Sequence, residues 1–285
     1  MKKLFCLVPV LALLLTGCVS IMQEEPTLPP LTAQTPLAFQ ETVVVENATC
    51  QVKVTGIDPG APEGYTVELY LENRTDERIL FFLTNAALNS VVSVPDFSTE
   101  LSANQTATYQ IPFTDKALTQ LVGIVTDVSL SVRVAYPDSW ITDPIAAVTA
   151  HIYPYGEQYA TAYVRPAQEG DRLLVDNERV AAIVTGWEET ADGGFAVNVY
   201  LVNKTKNTVL FCAEKVTLNQ IMTRPVFDRE IEPGCTDFTQ ILWSAEDLQV
   251  LDGDPIKLIE MSLVAYNTNS PQISEFANVP VVLEP

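Results

Sequence analysis

The chain repeats itself at one constant offset, and this repeat limits what it can fold into. Val54-Thr55-Gly56 aligns with Val184-Thr185-Gly186, and residues 64–75 align with 194–205, without a gap. Each copy is about 115 residues long, which is enough for one hydrophobic core. The sequence therefore predicts two copies of one domain, at 41–155 and 172–285, joined by a junction at 156–171. Residues shared by both copies are expected to determine the fold, and residues unique to one copy are candidates for activity.

Short β-strands are the predicted elements of each copy. Residues 66–71 and 196–201 alternate polar and apolar side chains, and a period of two indicates strands with one wet face. Turn residues separate such runs every roughly eight to twelve positions, which is typical of a sandwich. We expect an all-β protein of two tandem immunoglobulin-like sandwiches, with about seven strands in each copy. One short crossover helix is predicted in each, at 114–118 and 244–248, where an N-cap residue precedes an acidic first turn.

A shared Asn-x-Thr motif ends one strand in each copy, at Asn73-Arg74-Thr75 and Asn203-Lys204-Thr205. Asn and Thr side chains bond nearby main chain, which favours a turn. The motif is also a glycosylation sequon, but we favour the turn.

The segment 1–40 predicts export and anchoring. Lys2 and Lys3 precede an apolar stretch at 4–15, and Leu15-Thr16-Gly17-Cys18 follows. The stretch is shorter than the roughly 20 residues that span a bilayer. The pattern resembles a bacterial lipobox, which implies removal of 1–17, acylation of Cys18 and a lipid anchor on the extracytoplasmic face of the cell membrane. Residues 18–40 contain four prolines and no glycine, which predicts an extended tether of up to roughly 70 Å.

Negative charge is spread evenly over the chain. The sequence has 36 acidic and 16 basic residues; residues 41–155 hold 14 acidic and 5 basic, and residues 172–285 hold 17 and 8, so each copy has a net charge of −9. Phosphate contacts need clustered Lys and Arg. The composition therefore argues against nucleic acid and anionic lipid headgroups as partners.

The residue types that carry most enzyme chemistry are sparse. Three cysteines follow Cys18, namely Cys50, Cys212 and Cys235; Cys212 is expected to be a small core residue, and a Cys212–Cys235 disulfide is the alternative. No metal-binding spacing, glycine-rich phosphate loop or nucleophile elbow occurs, so we expect no metal, no cofactor and no enzymatic activity. Adjacent carboxylates such as Glu188-Glu189 and Asp252-x-Asp254 are expected on solvated loops, with a weak Ca²⁺ site or a glycosidase pair as alternatives.

Aromatic residues near the junction depart most from the repeat. The only histidine, His151, aligns with Val281, and Tyr153, Tyr155, Tyr159 and Tyr163 follow it closely. These residues are candidates for a recognition surface, because tyrosine offers large contact area with a polar tip. The alternative is that they pack the two sandwiches together. Trp140 and Trp187 also lack aromatic counterparts and are further binding candidates, whereas Trp243 aligns with Phe113 and is expected in the core.

An ordered series of motifs is similar to immunoglobulin-like repeats of Gram-positive surface lipoproteins. It comprises Val-Thr-Gly, the strand that ends in Asn-x-Thr, Leu218-Asn219, Pro233-Gly234, the 244–248 segment and a closing strand. The resemblance implies a fold and an anchor but no catalytic residues. We therefore expect a lipid-anchored envelope protein that presents two acidic sandwiches to a protein or cell-wall glycan partner. A structural spacer in an envelope complex, or a hydrolase with a carboxylate site, are the alternatives.

Overall fold

Nearly all regular structure in the protein is β. The computed structural model describes residues 28–32, 34–114, 123–139, 141–268 and 274–285. Thr32–Pro285 form one compact unit, and residues 28–31 outside it contain no helix or strand. The predicted all-β class is confirmed. The strands are β1 Thr42–Glu46, β2 Cys50–Asp58, β3 Tyr65–Asn73, β4 Ile79–Leu88, β5 Val91–Val92, β6 Ser98–Leu101, β7 Thr106–Phe113, β8 Val128–Ala135, β9 Pro144–Ile152, β10 Arg172–Asp176, β11 Val180–Glu189, β12 Phe195–Asn203, β13 Val209–Leu218, β14 Ile221–Met222, β15 Asp228–Ile231, β16 Thr236–Trp243, β17 Ile259–Asn267 and β18 Ser274–Leu283.

Strands β1 to β9 form the first sandwich. One sheet has the order β1-β2-β3-β7, and the facing strands have the order β4-β8-β9, with β5 and β6 pairing on β4. The connections β3–β4 and β7–β8 cross from one sheet to the other, as in immunoglobulin-like folds. Apolar residues at alternate positions, including Leu69, Leu71 and Phe81, are fully buried between the sheets, because successive side chains of a strand point to opposite faces.

Strands β10 to β18 form the second sandwich in the same arrangement. Its sheets have the orders β10-β11-β12-β16 and β14-β13-β17-β18, with β15 also pairing on β13. Trp243 is fully buried in this core and Phe113 is 2% exposed in the other, as predicted. Within the described ranges each sandwich has nine strands rather than about seven, because a first edge strand and two short strands were not recognised in the sequence.

The offset that aligns Val54 with Val184 relates the strands of the two sandwiches from their first strands as far as β7 and β16. It fails for the strands that follow. Leu88 pairs with Val128 in the first sandwich, whereas Leu218 pairs with Ile259 in the second. One extra residue therefore precedes β17, and the gap-free alignment is wrong for the last two strands. His151 corresponds to Val282, since Ser129 pairs with His151 and Glu260 pairs with Val282.

The Asn-x-Thr turns are confirmed as fold determinants. Asn73 and Asn203 are each 1% exposed, and the Asn203 side-chain oxygen accepts hydrogen bonds from the amide and hydroxyl of Thr205 at 2.9 and 2.8 Å. The Asn203 amide donates to the carbonyls of Asn207, Ile231 and Glu232 at 2.7, 2.9 and 3.0 Å, and Asn73 makes the equivalent five bonds. These turns fix the start of β4 and β13 and leave no amide free for a glycan.

The sandwiches are joined edge to edge through a parallel strand pair, which we call the joint. Val91 of β5 pairs with Thr236 of β16, and the Thr236 amide donates to the Ser90 carbonyl at 2.8 Å. One nine-stranded sheet, in the order β10-β11-β12-β16-β5-β4-β8-β9 with β6 on β4, therefore runs through both sandwiches. Ala87 and Val92 of the first sandwich belong to the buried cluster of the second, so the joint is an extension of the core.

Candidate functional site

Tyr163 lies between the sandwiches and packs rather than facing solvent. Its ring is 5.9 Å from that of Phe238, which in turn is 4.8 Å from Tyr200. The Tyr163 amide donates to the Asn89 carbonyl at 2.7 Å. Tyr163 thus contacts both the first sandwich, through Asn89, and the second, through Phe238. These contacts fit the alternative in which the junction tyrosines pack the two sandwiches together.

Arg165 fixes the end of the junction. Its guanidinium makes two hydrogen bonds to the Asp171 carboxylate, at 2.5 and 2.8 Å, and lies 5.8 Å from the Tyr200 ring centroid. The two side chains are only 9% and 13% exposed. The hydrogen bond from Arg165 lowers the pKa of Asp171 below its ordinary value, so this bidentate ion pair persists at neutral pH.

His151 forms a polar cluster with Asp127 at the same boundary. Its Nδ1 lies 2.9 and 3.1 Å from the two Asp127 carboxylate oxygens, and its ring stacks on Tyr153 at 6.1 Å. The hydrogen bond to Asp127 raises the pKa of His151. Partial burial lowers this pKa, and the negative charges of Asp127 and Glu232 raise it further. The His151 side chain is 49% exposed. The contacts give His151 a charge-pairing role: in the described part of the chain its ring hydrogen-bonds the Asp127 carboxylate, and Ser129 lies opposite it on β8.

Tyr155 and Tyr159 are half-buried on the junction. Burial, with a smaller contribution from Tyr155, raises the pKa of Tyr65, which places Tyr155 beside the first core. Tyr159 ends a short 3-10 helix, Glu157–Tyr159.

Trp187 lies at the open end of the second sandwich. It pairs with Val197 of β12, whose side chain is fully buried, so Trp187 continues the core-facing side of β11 past the point where the sheets separate. The indole is 41% exposed. Its counterpart in the first sandwich is Ile57, which packs against the core. Trp187 lines a cleft at this end of the second sandwich, and Tyr163 lines a separate one of about 580 Å³ beside Asn89 and Arg165.

The cleft beside Trp187 has a volume of about 690 Å³. Its apolar wall includes Phe195 and Leu251, which are 7% and 6% exposed, together with Ile256. Glycine at 194 permits the strand to approach β16 here, because a Cβ would collide with the Trp243 carbonyl oxygen. The site therefore combines a buried apolar floor with one exposed aromatic ring, which is the usual composition of a small binding cleft.

Carboxylates line the mouth of this cleft. Glu188, Glu189 and Asp254 all border it, although the two acidic pairs are far apart in the sequence. Glu188 accepts a hydrogen bond from Gln240 at 3.0 Å. Asp252 adopts a left-handed backbone with φ 52° and ends the 3-10 helix Asp247–Leu251, so the predicted Asp252-x-Asp254 turn is confirmed. Sequence patterns alone gave no sign that these acids meet Trp187.

The crossover helix of the second sandwich is the 3-10 helix Asp247–Leu251. It begins at Asp247, later than the predicted start at Ser244, and Ser244 and Asp247 bond each other's side chains and backbone at its start. The helix predicted at 114–118 lies mostly outside the described residues, and so does Trp140.

The three cysteines in the described ranges are unpaired thiols. Cys50 and Cys235 are buried, whereas Cys212 is half-buried and follows the core residue Phe211 on the opposite face of β13, so the predicted core position of Cys212 is wrong. Burial raises the pKa of Cys50 and Cys212 to about 11 and that of Cys235 to about 12. Within the described ranges, no three His, Cys, Asp or Glu side chains come together as a metal site.

No protein-family model matches the chain, and no curated protein is significantly similar to it. Across the residues that the structure describes, none of the helices has the length and apolar character needed to cross a bilayer. The fold and the Trp187 cleft therefore carry the functional argument.

Proposed function

We propose that the protein is a non-enzymatic, lipid-anchored envelope protein that binds a protein or cell-wall glycan partner in the Trp187 cleft. The observation that carries the proposal is the exposed indole of Trp187 above a buried apolar floor, in a cleft of about 690 Å³. The lipobox pattern ending at Cys18 supports the anchor.

Charge narrows the chemistry of the partner. Glu188, Glu189 and Asp254 line the mouth, and each sandwich carries a net charge of −9. Anionic polymers are repelled by such a surface. Neutral hydroxyl-rich chains and basic peptides suit it, because carboxylates accept hydrogen bonds from hydroxyl and ammonium groups. Trp187 adds a large apolar face with a single N–H donor.

The test is capture of envelope components by wild type and by Trp187→Ala. Deproteinised cell-wall glycan and an envelope protein fraction serve as separate baits, so that the two partner classes are distinguished. Removing a central aromatic anchor costs at least about 2 kcal/mol, which lowers affinity roughly thirtyfold. Leu173→Ala is the matched control, since Leu173 is 61% exposed on β10 and does not border the cleft. Equal capture by wild type and Trp187→Ala, from both baits, contradicts the proposal.

The anchor is tested separately with Cys18→Ser. In the bacterial envelope, wild type is expected in the membrane fraction, and the variant is expected to be released or to keep its leader. Incorporation of labelled fatty acid into wild type, lost in the variant, is the direct measurement. A variant that stays membrane-bound with its leader removed contradicts acylation at Cys18.

A rigid spacer is the second candidate function, and the joint supports it. A sheet that continues from one sandwich into the other limits their relative motion, which suits a protein that sets distance. For a spacer, shortening the 18–40 tether impairs function and Trp187→Ala does not. The reverse pattern supports binding.

An envelope hydrolase remains a testable alternative. Purified protein is incubated with glycans, esters and peptides, and turnover that Glu189→Gln abolishes would refute the non-enzymatic assignment. We expect no turnover, because the cleft carboxylates Glu188, Glu189 and Asp254 are exposed to solvent, whereas a general acid needs a pKa raised by burial.

A further inference from the structure

The hairpin that forms half of the joint recurs in the second sandwich with the same backbone geometry. Asn89 and Ser90 have φ values of 49° and 67°, and Asn219 and Gln220 have 48° and 70°. Consecutive left-handed residues of this kind close a tight two-residue hairpin. The two hairpins also share a backbone hydrogen bond. The Ser93 amide donates to the Ala86 carbonyl, and the Thr223 amide donates to the Val216 carbonyl, each at 2.9 Å.

In the first sandwich this hairpin is covered. The Ser90 carbonyl accepts from the Thr236 amide at 2.8 Å, and the following residues, Val91 and Val92, are 0% and 3% exposed. The cover is the edge of β16. A parallel strand pair, a hydrogen bond and apolar packing thus hold the two sandwiches together.

In the second sandwich the equivalent hairpin is uncovered. Ile221 and Met222 correspond to Val91 and Val92 and are 41% and 66% exposed. Among the described strands, β14 pairs only with β13. Two adjacent apolar side chains thus lie exposed on a strand edge, which is a surface that invites another strand.

The first sandwich has an uncovered counterpart of the other half of the joint, namely the edge of β7 that corresponds to the edge of β16. Thr236 of β16 corresponds to Thr106 of β7, and β7 pairs only with β3 among the described strands. Thr106 and Thr108 are exposed. Each molecule therefore presents both complementary halves of its own internal joint, one on each sandwich.

We propose that copies of this chain associate head to tail, with β14 of one copy pairing in parallel with β7 of the next and Ile221 opposite Thr106. In this contact, the second sandwich of one copy binds the first sandwich of the next copy as the first sandwich binds the second within one chain. Because the two surfaces differ, the association is heterologous, and it produces open chains of molecules, or a ring where the repeated rotation closes. Met222 replaces the smaller Val92 at the contact, and its flexible thioether side chain adapts to irregular gaps.

Two features make this contact weaker than the internal joint. In the sequence, the constant offset sets Ala33 against Tyr163 and Thr35 against Arg165, so the first copy has neither an aromatic residue nor an arginine at these positions. Both partners are acidic, and their repulsion is relieved by salt. Association is therefore expected to increase with ionic strength and with the local concentration of the protein at a membrane.

The experiment is disulfide trapping with the full chain in the bacterial envelope. Ile221→Cys and Thr106→Cys are combined in one chain, mild oxidant is added, and products are separated without reductant. Head-to-tail contact predicts a ladder of trimers and larger species. Either single variant has one engineered thiol and is expected to give no species above a dimer. Ladders in the single variants would arise from native cysteines and would overturn the interpretation.

The exposed apolar pair supplies the specificity control. Adding Met222→Glu to the cysteine pair places a charge in the contact and is expected to remove the ladder, whereas Leu173→Glu, also on an exposed strand position, leaves it intact. A ladder that survives Met222→Glu overturns the proposal. Absence of species above a dimer also overturns it, and dimers in the Ile221→Cys variant alone would indicate a symmetric contact between β14 strands instead.

Discussion

Replacing Asn203 by Ala should remove much of the stability of the second sandwich. The substitution deletes five hydrogen bonds, two accepted from Thr205 and three donated to backbone carbonyls. A hydrogen bond contributes about 1 kcal/mol net, and a buried group left unsatisfied costs about 1–3 kcal/mol. With water reaching part of the exposed turn, we expect a loss of about 3–4 kcal/mol in the free energy of unfolding, compared with about 5–15 kcal/mol for a whole domain.

Urea unfolding followed by tryptophan fluorescence measures this loss. Trp187 and Trp243 both belong to the second sandwich, so their emission reports mainly on it. At a slope of about 1.5 kcal/mol per molar urea, the midpoint is expected to fall by about 2 M. Asn207→Ala is the matched control, because Asn207 serves the same turn through its backbone. A loss below about 1 kcal/mol for Asn203→Ala, or an equal loss for Asn207→Ala, refutes the role assigned to the buried amide.

Three further predictions concern the junction and the thiols. The pKa of His151 is raised in the folded state, so the ion pair with Asp127 stabilises the fold below pH about 6.5, and this stabilisation is lost as the pH rises through the folded-state pKa. The difference in melting temperature between wild type and His151→Gln should therefore vanish at alkaline pH. A difference that does not change with pH refutes this prediction. Tyr163→Ala removes the contact with Phe238 and should speed proteolysis within 156–171 about tenfold, corresponding to about 1.4 kcal/mol; an unchanged rate contradicts the packing role. Cys212 and Cys235 should resist a thiol reagent at pH about 8 in the native state, since their pKa values are raised to about 11 and 12, and should both react after unfolding without reductant; a titre lacking two thiols would establish a disulfide.

Local patterns were enough to predict the longer strands and the Asn-x-Thr turns, but not the first edge strand and the two short strands of each sandwich. Period-two alternation arises from the strand itself, and the Asn-x-Thr motif bonds its own neighbourhood, so both are visible in short windows of sequence. The extra residue before β17 was not visible, because apolar strand residues tolerate a one-step misalignment. His151 was consequently aligned with Val281 rather than Val282.

Long-range placement was the part that the sequence could not supply. The joint rests on Val91 and Thr236, a single parallel pair between distant segments, and no periodicity marks it. Trp187 was found through its difference from Ile57, but the carboxylates at the cleft mouth belong to two loops whose meeting depends on the closed sandwich. The proposed binding site is therefore formed only by the tertiary structure.

The joint also has a consequence for the order of events during synthesis. Its two strands belong to different halves of the chain, at Val91 and at Thr236, and chains are synthesised from the N-terminus. The first sandwich can close its own core early, but Ala87, Val91 and Val92 stay uncovered until β16 has been delivered. During that interval the half-made protein carries an apolar strand edge that other unfinished copies could occupy. A chain interrupted within the second sandwich should therefore aggregate, even though every residue of the first sandwich is present.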